Sequence, residues 1–281
     1  MMQERSVSLG PDFAGLELAY LDWGDPAAAR TVVCVHGLTR NAHDFDTLAA
    51  VLAERGARVL AVDVAGRGRS GWLSDPAGYR VEVYAGHLTR LMDLLRLERV
   101  DWIGTSMGGL IGMVLAAPPD SRLARLVLND IGPFVATATL EQIRSYLGLD
   151  LAFRDLGEVE AHLRAIHAGF GQLTDAQWAT LARTSSRTTP GGLRLHYDPA
   201  IRAPFLADSA GSIDLWSFWD AIRCPTLVLH GADSPLLTTD VIEEMLRRRP
   251  GIEVVNLPGI GHAPSLMVAD QIDTIVRWLD L

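Results

Sequence analysis

Ser106 stands in the run Ile103-Gly104-Thr105-Ser106-Met107-Gly108-Gly109, between an apolar strand-like segment and a helix-like one. Gly-x-Ser-x-Gly in that setting marks a sharp strand-to-helix turn. The serine is forced into strained dihedrals, and only small residues two positions away on either side avoid a clash. Its hydroxyl then projects above the sheet edge at the positive end of a helix, where it can serve as a nucleophile toward a carbonyl. Such a hydroxyl needs a base. Of the eight histidines, His262 follows a strand and lies in a glycine-flanked loop, Gly261-His262-Ala263-Pro264. His36 reads as support for its own loop, His230 ends a strand, and His43 and His87 fall on helices or their starts. His162, His167 and His196 read as surface or packing residues, and no pair of histidines has metal-site spacing.

These residues need elements to position them, and the chain supplies an alternation. A hairpin is expected over 7–9 and 16–23. Short apolar runs of the buried-strand kind follow at 31–35, 59–62, 100–103, 126–129, 226–230 and 252–257. Helical patterns lie between or after them at 45–55, 81–97, 106–117, 241–249 and 271–281. Strand-helix alternation of this kind predicts an α/β fold with a largely parallel sheet covered on both faces. The alternation breaks once. From Pro133 to about Phe218 no buried strand is evident, only helix-period segments at 140–149, 159–168 and 175–182 and a linker at 188–192. A break of that length exceeds an ordinary connection and predicts a helical cap. The expected division is therefore a core of 1–132 and 219–281 around a cap of 133–218.

Composition removes several classes of chemistry. All 25 basic residues are arginine, so lysine Schiff bases and a lysine-bearing phosphate loop are excluded. A net charge of -9 has the wrong sign for holding a nucleic acid by charge. No run approaches the length of a membrane span, and the start lacks a signal-like apolar stretch, so a cytoplasmic, membrane-free protein is expected. Cys34 and Cys224 adjoin apolar runs and read as buried free thiols.

With these residues in place, the whole chain resembles the α/β-hydrolase superfamily. His36-Gly37 looks like its oxyanion-loop signature, and residues 63–70, Asp-Val-Ala-Gly-Arg-Gly-Arg-Ser, match its Asp-x-x-Gly-x-Gly-x-Ser turn. The loop around His262 is similar to its catalytic-histidine loop. The resemblance implies a mostly parallel eight-stranded sheet with a cap after the sixth strand. It also implies that the backbone N–H groups of Leu38 and Met107 form an oxyanion hole, each worth about 10²–10³ in rate.

The acid is less plainly written. Most members carry it in Gly-x-x-Asp after the penultimate strand, but here Gly231-Ala232-Asp233-Ser234 puts serine at that position and Asp233 one residue early. Asp130 ends the strand after the nucleophile helix, where dehalogenases and some small carboxylesterases of the superfamily place their acid. Asp130 is the expected acid and Asp233 the alternative. Serine at position 106 disfavours dehalogenase and epoxide-hydrolase chemistry, which use aspartate there. The implied activity is hydrolysis of small to medium carboxylic esters through an acyl-enzyme, with no metal or organic cofactor. A carbon–carbon bond hydrolase, lactonase or thioesterase is the alternative, and a non-catalytic binding protein of the same fold is the reading from another class. The expected partner is a small-molecule ester, the chain a monomer or homodimer. Arg40, close to Leu38, reads as a clamp for a substrate carboxylate or as a loop-ordering ion pair.

Overall fold

The computed structural model describes residues 1–207 and 211–281; residues 208–210, inside the expected cap, lie outside the described residues. Eight strands form one sheet: β1 (Gln3–Ser8), β2 (Glu17–Trp23), β3 (Thr31–Val35), β4 (Arg58–Val62), β5 (Val100–Thr105), β6 (Leu123–Asn129), β7 (Thr226–Gly231) and β8 (Glu253–Leu257). Their order is β1-β2-β4-β3-β5-β6-β7-β8. β1 and β2 pair antiparallel, as do β2 and β4, and the remaining pairs are parallel. This is the α/β-hydrolase fold.

The parallel strands are buried on both faces, and their side chains sort by the period of two. Val32 and Cys34 of β3, with Ile103, Val127, Leu227 and Leu229, pack under helices α1 (Asp46–Glu54) and, at the chain's end, the helix Ala269–Leu279. Val33 and Val35, with Trp102, Leu126, Leu128 and Val228, face α2 (Val81–Leu94) and α3 (Met107–Ala116) on the other side. Cys34 is fully buried in the first layer, whereas Cys224 is only partly buried; both thiols are free.

Between β6 and β7 the chain leaves the sheet. Helices α4 (Thr137–Tyr146), α5 (Leu156–Ile166) and α6 (Asp175–Thr184) fall on the predicted helical segments. Two short pairings were not expected. Phe134–Val135 pairs with Ile213–Asp214, tying the entry of the insertion to its exit, and Ser186–Thr189 pairs with Gly192–Leu195. The supposed linker at 188–192 is thus the turn of a hairpin. Its first strand, Ser-Arg-Thr-Thr, has no apolar alternation to reveal it, and the pairing is local. Val159, Leu163, Trp178, Leu181 and Ala182 join Phe153 in a small apolar cluster of the insertion's own. Among the described residues no helix is long and apolar enough to cross a membrane.

Candidate active site

The turn after β5 shows why its sequence is restricted. Ser106 has φ 51° and ψ -114°, a strained conformation that the surrounding packing must hold. A Cβ on Gly104 would come within 2.3 Å of the Gly108 backbone, and one on Gly108 within 2.0 Å of the Val35 carbonyl oxygen. Ser106 therefore precedes the helix rather than opening it: α3 begins at Met107, and the Ser106 carbonyl accepts from the N–H groups of Gly109 and Leu110.

The His262 ring lies between two partners. Its Nε2 is 2.9 Å from Ser106 Oγ and its Nδ1 is 2.7 Å from Asp130 Oδ2. The Nδ1–H tautomer satisfies both contacts, donating to the carboxylate and accepting from the serine hydroxyl. Asp130 is wholly buried, with a left-handed φ of 55°, at the end of β6. Its Oδ1 accepts from the Gly231 N–H at 2.9 Å, and its Oδ2 accepts from Ser234 Oγ at 2.6 Å as well as from His262. With three donors around it, the carboxylate is held in one orientation.

Asp233 is placed differently. Its backbone N–H donates to the Ile260 carbonyl, and its side chain is exposed on the rim of the cavity. Residue 234 occupies the place of the usual acid in the loop after β7, and its hydroxyl reaches Asp130. The serine that stands where an acid is usual is thus a donor to the expected acid, Asp130. Asn129 was missed altogether. Its Nδ2 donates to Thr105 Oγ1 at 3.0 Å and to the Pro264 carbonyl at 2.9 Å, tying the nucleophile turn to the histidine loop. An asparagine at a strand end carries no signal of such a role.

Leu38 follows His36-Gly37 at the end of β3. Its N–H makes no hydrogen bond among the described residues. Met107 is the first residue of α3, so its N–H has no intrahelical acceptor. Both donors are thus free beside Ser106. His36 supports the loop from below: Nδ1–H donates to the Gly37 carbonyl at 2.7 Å, and Nε2 accepts from the Val64 N–H at 3.0 Å. Burial pushes this imidazole down to about 3, so it stays neutral.

Arg40 is not a free clamp. It is buried, and its Nε and Nη2 hold the Asp44 carboxylate at 2.9 and 2.5 Å. Its Nη1 donates to Ser185 Oγ at 2.9 Å, while neighbouring Asn41 donates to the Thr184 carbonyl. The guanidinium is committed to a carboxylate four residues on and to the end of α6, so it orders the loop and moors the insertion to it.

Ser106 and His262 open into a cavity of about 490 Å³. The sheet side contributes Gly37, Leu38 and the histidine loop, and the insertion contributes Ile143, Tyr146, Ile166 and Phe170. Of the other aromatics between β6 and β7, Phe153 and Trp178 belong to the insertion's own cluster, and Trp216, Phe218 and Trp219 pack on the main core.

A nucleophile elbow, a histidine loop and a buried acid on one edge of an eight-stranded sheet define a hydrolase of the α/β class. The profile of the family described as alpha/beta hydrolase fold matches residues 30–266, and the chain belongs to that family. It is 45% identical over 269 residues to a 3-hydroxybutyrate-oligomer hydrolase of Cupriavidus necator, covering 92% of each chain. Among solved structures it resembles an alpha/beta hydrolase from Novosphingobium aromaticivorans, with a TM-score of 0.88, 36% identity and coverage of 99% and 98%. A chain from Rickettsia typhi superposes with a TM-score of 0.93 at 34% identity over 99% of both.

Proposed function

We propose that this protein is a serine hydrolase of carboxylic esters, and that its substrates are short oligoesters of hydroxyacids. The observation that carries the reading is the unbroken hydrogen-bonded series Ser106 Oγ, His262, Asp130 at the mouth of a ligand-sized cavity. In the first step His262 Nε2 takes the Ser106 proton as Oγ bonds to the ester carbonyl carbon. The carbonyl electron pair moves to oxygen, where the N–H groups of Leu38 and Met107 receive it. The tetrahedral species collapses, the ester C–O bond breaks, and the leaving alkoxide takes the proton from His262. Water, deprotonated by His262, then repeats the addition on the acyl-enzyme and frees the acid and Ser106. Asp130 keeps Nδ1 protonated and stabilises the imidazolium in each half-reaction.

Two things support the substrate class. The relative named above as acting on 3-hydroxybutyrate oligomers is similar along nearly the whole chain. The cavity also joins a polar catalytic floor to an apolar insertion wall, which suits a chain of short aliphatic ester units. The insertion is read as the cap that selects among them.

The test has two stages. Wild-type protein should be labelled by a fluorophosphonate and Ser106→Ala should not; a folded but unlabelled wild type would remove the enzyme reading. Dimers and trimers of 3-hydroxybutyrate should then be cleaved with a higher kcat/KM than nitrophenyl butyrate. Labelling with no oligoester cleavage would leave the serine hydrolase and overturn the substrate class. Turnover of a vinylogous diketone above both esters would favour carbon–carbon cleavage instead.

A further inference from the structure

Two arginines are buried near the nucleophile, and they are held in opposite ways. Arg40 faces the Asp44 carboxylate. Arg67 is 0% exposed, and among the described residues no carboxylate lies within ion-pair distance of it. Its guanidinium instead spends its donors on neutral groups. Nε donates to the Leu38 carbonyl at 2.9 Å, Nη1 to the Ala65 carbonyl at 2.8 Å and the Tyr84 hydroxyl at 2.6 Å, and Nη2 lies 3.6 Å from Met107 Sδ. The rings of Tyr84 and Tyr79 lie 5.0 and 5.6 Å from its centre. One planar group therefore touches both residues whose N–H groups are the expected oxyanion donors.

The turn bearing Arg67 is itself fixed on both sides. The Asp63 carboxylate accepts from the Ala42 and Arg69 N–H groups, and Gly68 N–H donates to the His196 carbonyl of the insertion. The side chain thus reaches Leu38 and Met107 from a rigid base. Electrostatics adds a second argument. A buried cation beside the first residue of α3 sits near the positive end of that helix, which disfavours the resting state. A negative charge arriving on the substrate oxygen relieves that disfavour, and an interaction made only then lowers the barrier rather than tightening ground-state binding.

We infer that Arg67 is the positioning residue of the oxyanion hole: it holds Leu38 and Met107 in place and supplies a positive charge that is matched when the tetrahedral oxyanion forms. The inference rests on the reading of Ser106 as nucleophile with Leu38 and Met107 as donors.

Two substitutions in the full-length chain separate geometry from charge. Arg67→Met keeps the stem and removes both; Arg67→Lys keeps a charge and loses the planar fork. With nitrophenyl butyrate, kcat should fall about 10²-fold in Arg67→Met, the scale of one lost oxyanion donor, with KM changed less than about threefold. Arg67→Lys should recover part of that loss. A trifluoromethyl ketone, which adds Ser106 Oγ to its carbonyl and leaves an anionic hemiketal oxygen in the hole, should bind more weakly in proportion to kcat. A non-reacting amide of the same shape should bind as before. If Arg67→Met does not fold, Arg67→Lys and Tyr84→Phe carry the same comparison. Unchanged kcat, or equal weakening of ketone and amide, overturns the inference. A wild type that neither labels nor hydrolyses esters would instead overturn the activity on which it rests.

Discussion

On the sheet side of the cavity, the polar side chains lined up behind Ser106 are held by bonds from other parts of the chain. His262 is held by Asp130, Asp130 by Gly231 and Ser234, and the Pro264 carbonyl of the histidine loop by Asn129. The insertion side presents apolar surface, backed by a cluster of six buried side chains. It is moored to the sheet side at separate points: Gly169 accepts from Gly261, the end of α6 accepts from Arg40 and Asn41, and His196 accepts from Gly68. The contrast teaches a division of labour. On the proposed reading, the positions fixed by several bonds would set the barrier for chemistry, and the apolar wall would select the acyl group.

Substitutions can break that division. The largest effect is expected for Asp130→Asn, which should lower kcat by about 10³–10⁴ by losing the imidazole's tautomer and its charge partner. Asp233→Asn should stay within about twofold. Nitrophenyl ester kinetics on both variants checks this, and a crippled Asp233→Asn beside an active Asp130→Asn would reverse the assignment.

Next comes acid stability. The His36 imidazole is held at about 3 in the folded chain against 6.5 when free, so the unfolded state alone takes up a proton between those values. The folded chain should therefore lose stability as pH falls through that window, by about 1.4 kcal/mol per pH unit from this group. Urea unfolding at a series of pH values should show a shallower slope in His36→Gln; equal slopes would mean that His36 is not the group responsible.

Smaller again is Arg40→Ala. Loss of charge-assisted bonds at the mooring should cost about 2 kcal/mol of stability. Activity should fall by the same factor on neutral and carboxylate-bearing esters, and a selective loss on the charged ester would restore the clamp. Least of all, Tyr146→Ala or Ile166→Ala should raise KM for longer acyl chains about three- to fivefold with kcat unchanged, read from an acyl-length series. A fall in kcat instead would mean that the wall takes part in the chemistry.

The elbow was legible because its constraint is local: backbone meets backbone within a few residues, so Gly104 and Gly108 mark it in the sequence. The buried strands were legible for a similar reason, as short apolar runs of one pattern. The hairpin Ser186–Thr189 with Gly192–Leu195 was not, since its first strand is polar throughout and its second offers only Leu193 and Leu195 to the insertion's cluster. For Arg40 the sequence left two readings, clamp and loop-ordering ion pair, because spacing does not say which carboxylate, protein or substrate, a guanidinium meets; the contact with Asp44 is visible only in the structure.

Residue order alone determined the sheet, the turn that exposes Ser106 and the loop that carries His262, because each depends on short-range sterics and periodic burial. It also pointed to Asp130 as the acid, with Asp233 as the alternative. What surrounds each carboxylate belongs to the tertiary structure: β6 and β7 lie side by side, which brings the Gly231 N–H and the Ser234 hydroxyl to Asp130 and leaves Asp233 facing solvent. The same holds for Arg67, whose contacts with Leu38 and Met107 exist only once three separate strand ends meet at one edge of the sheet.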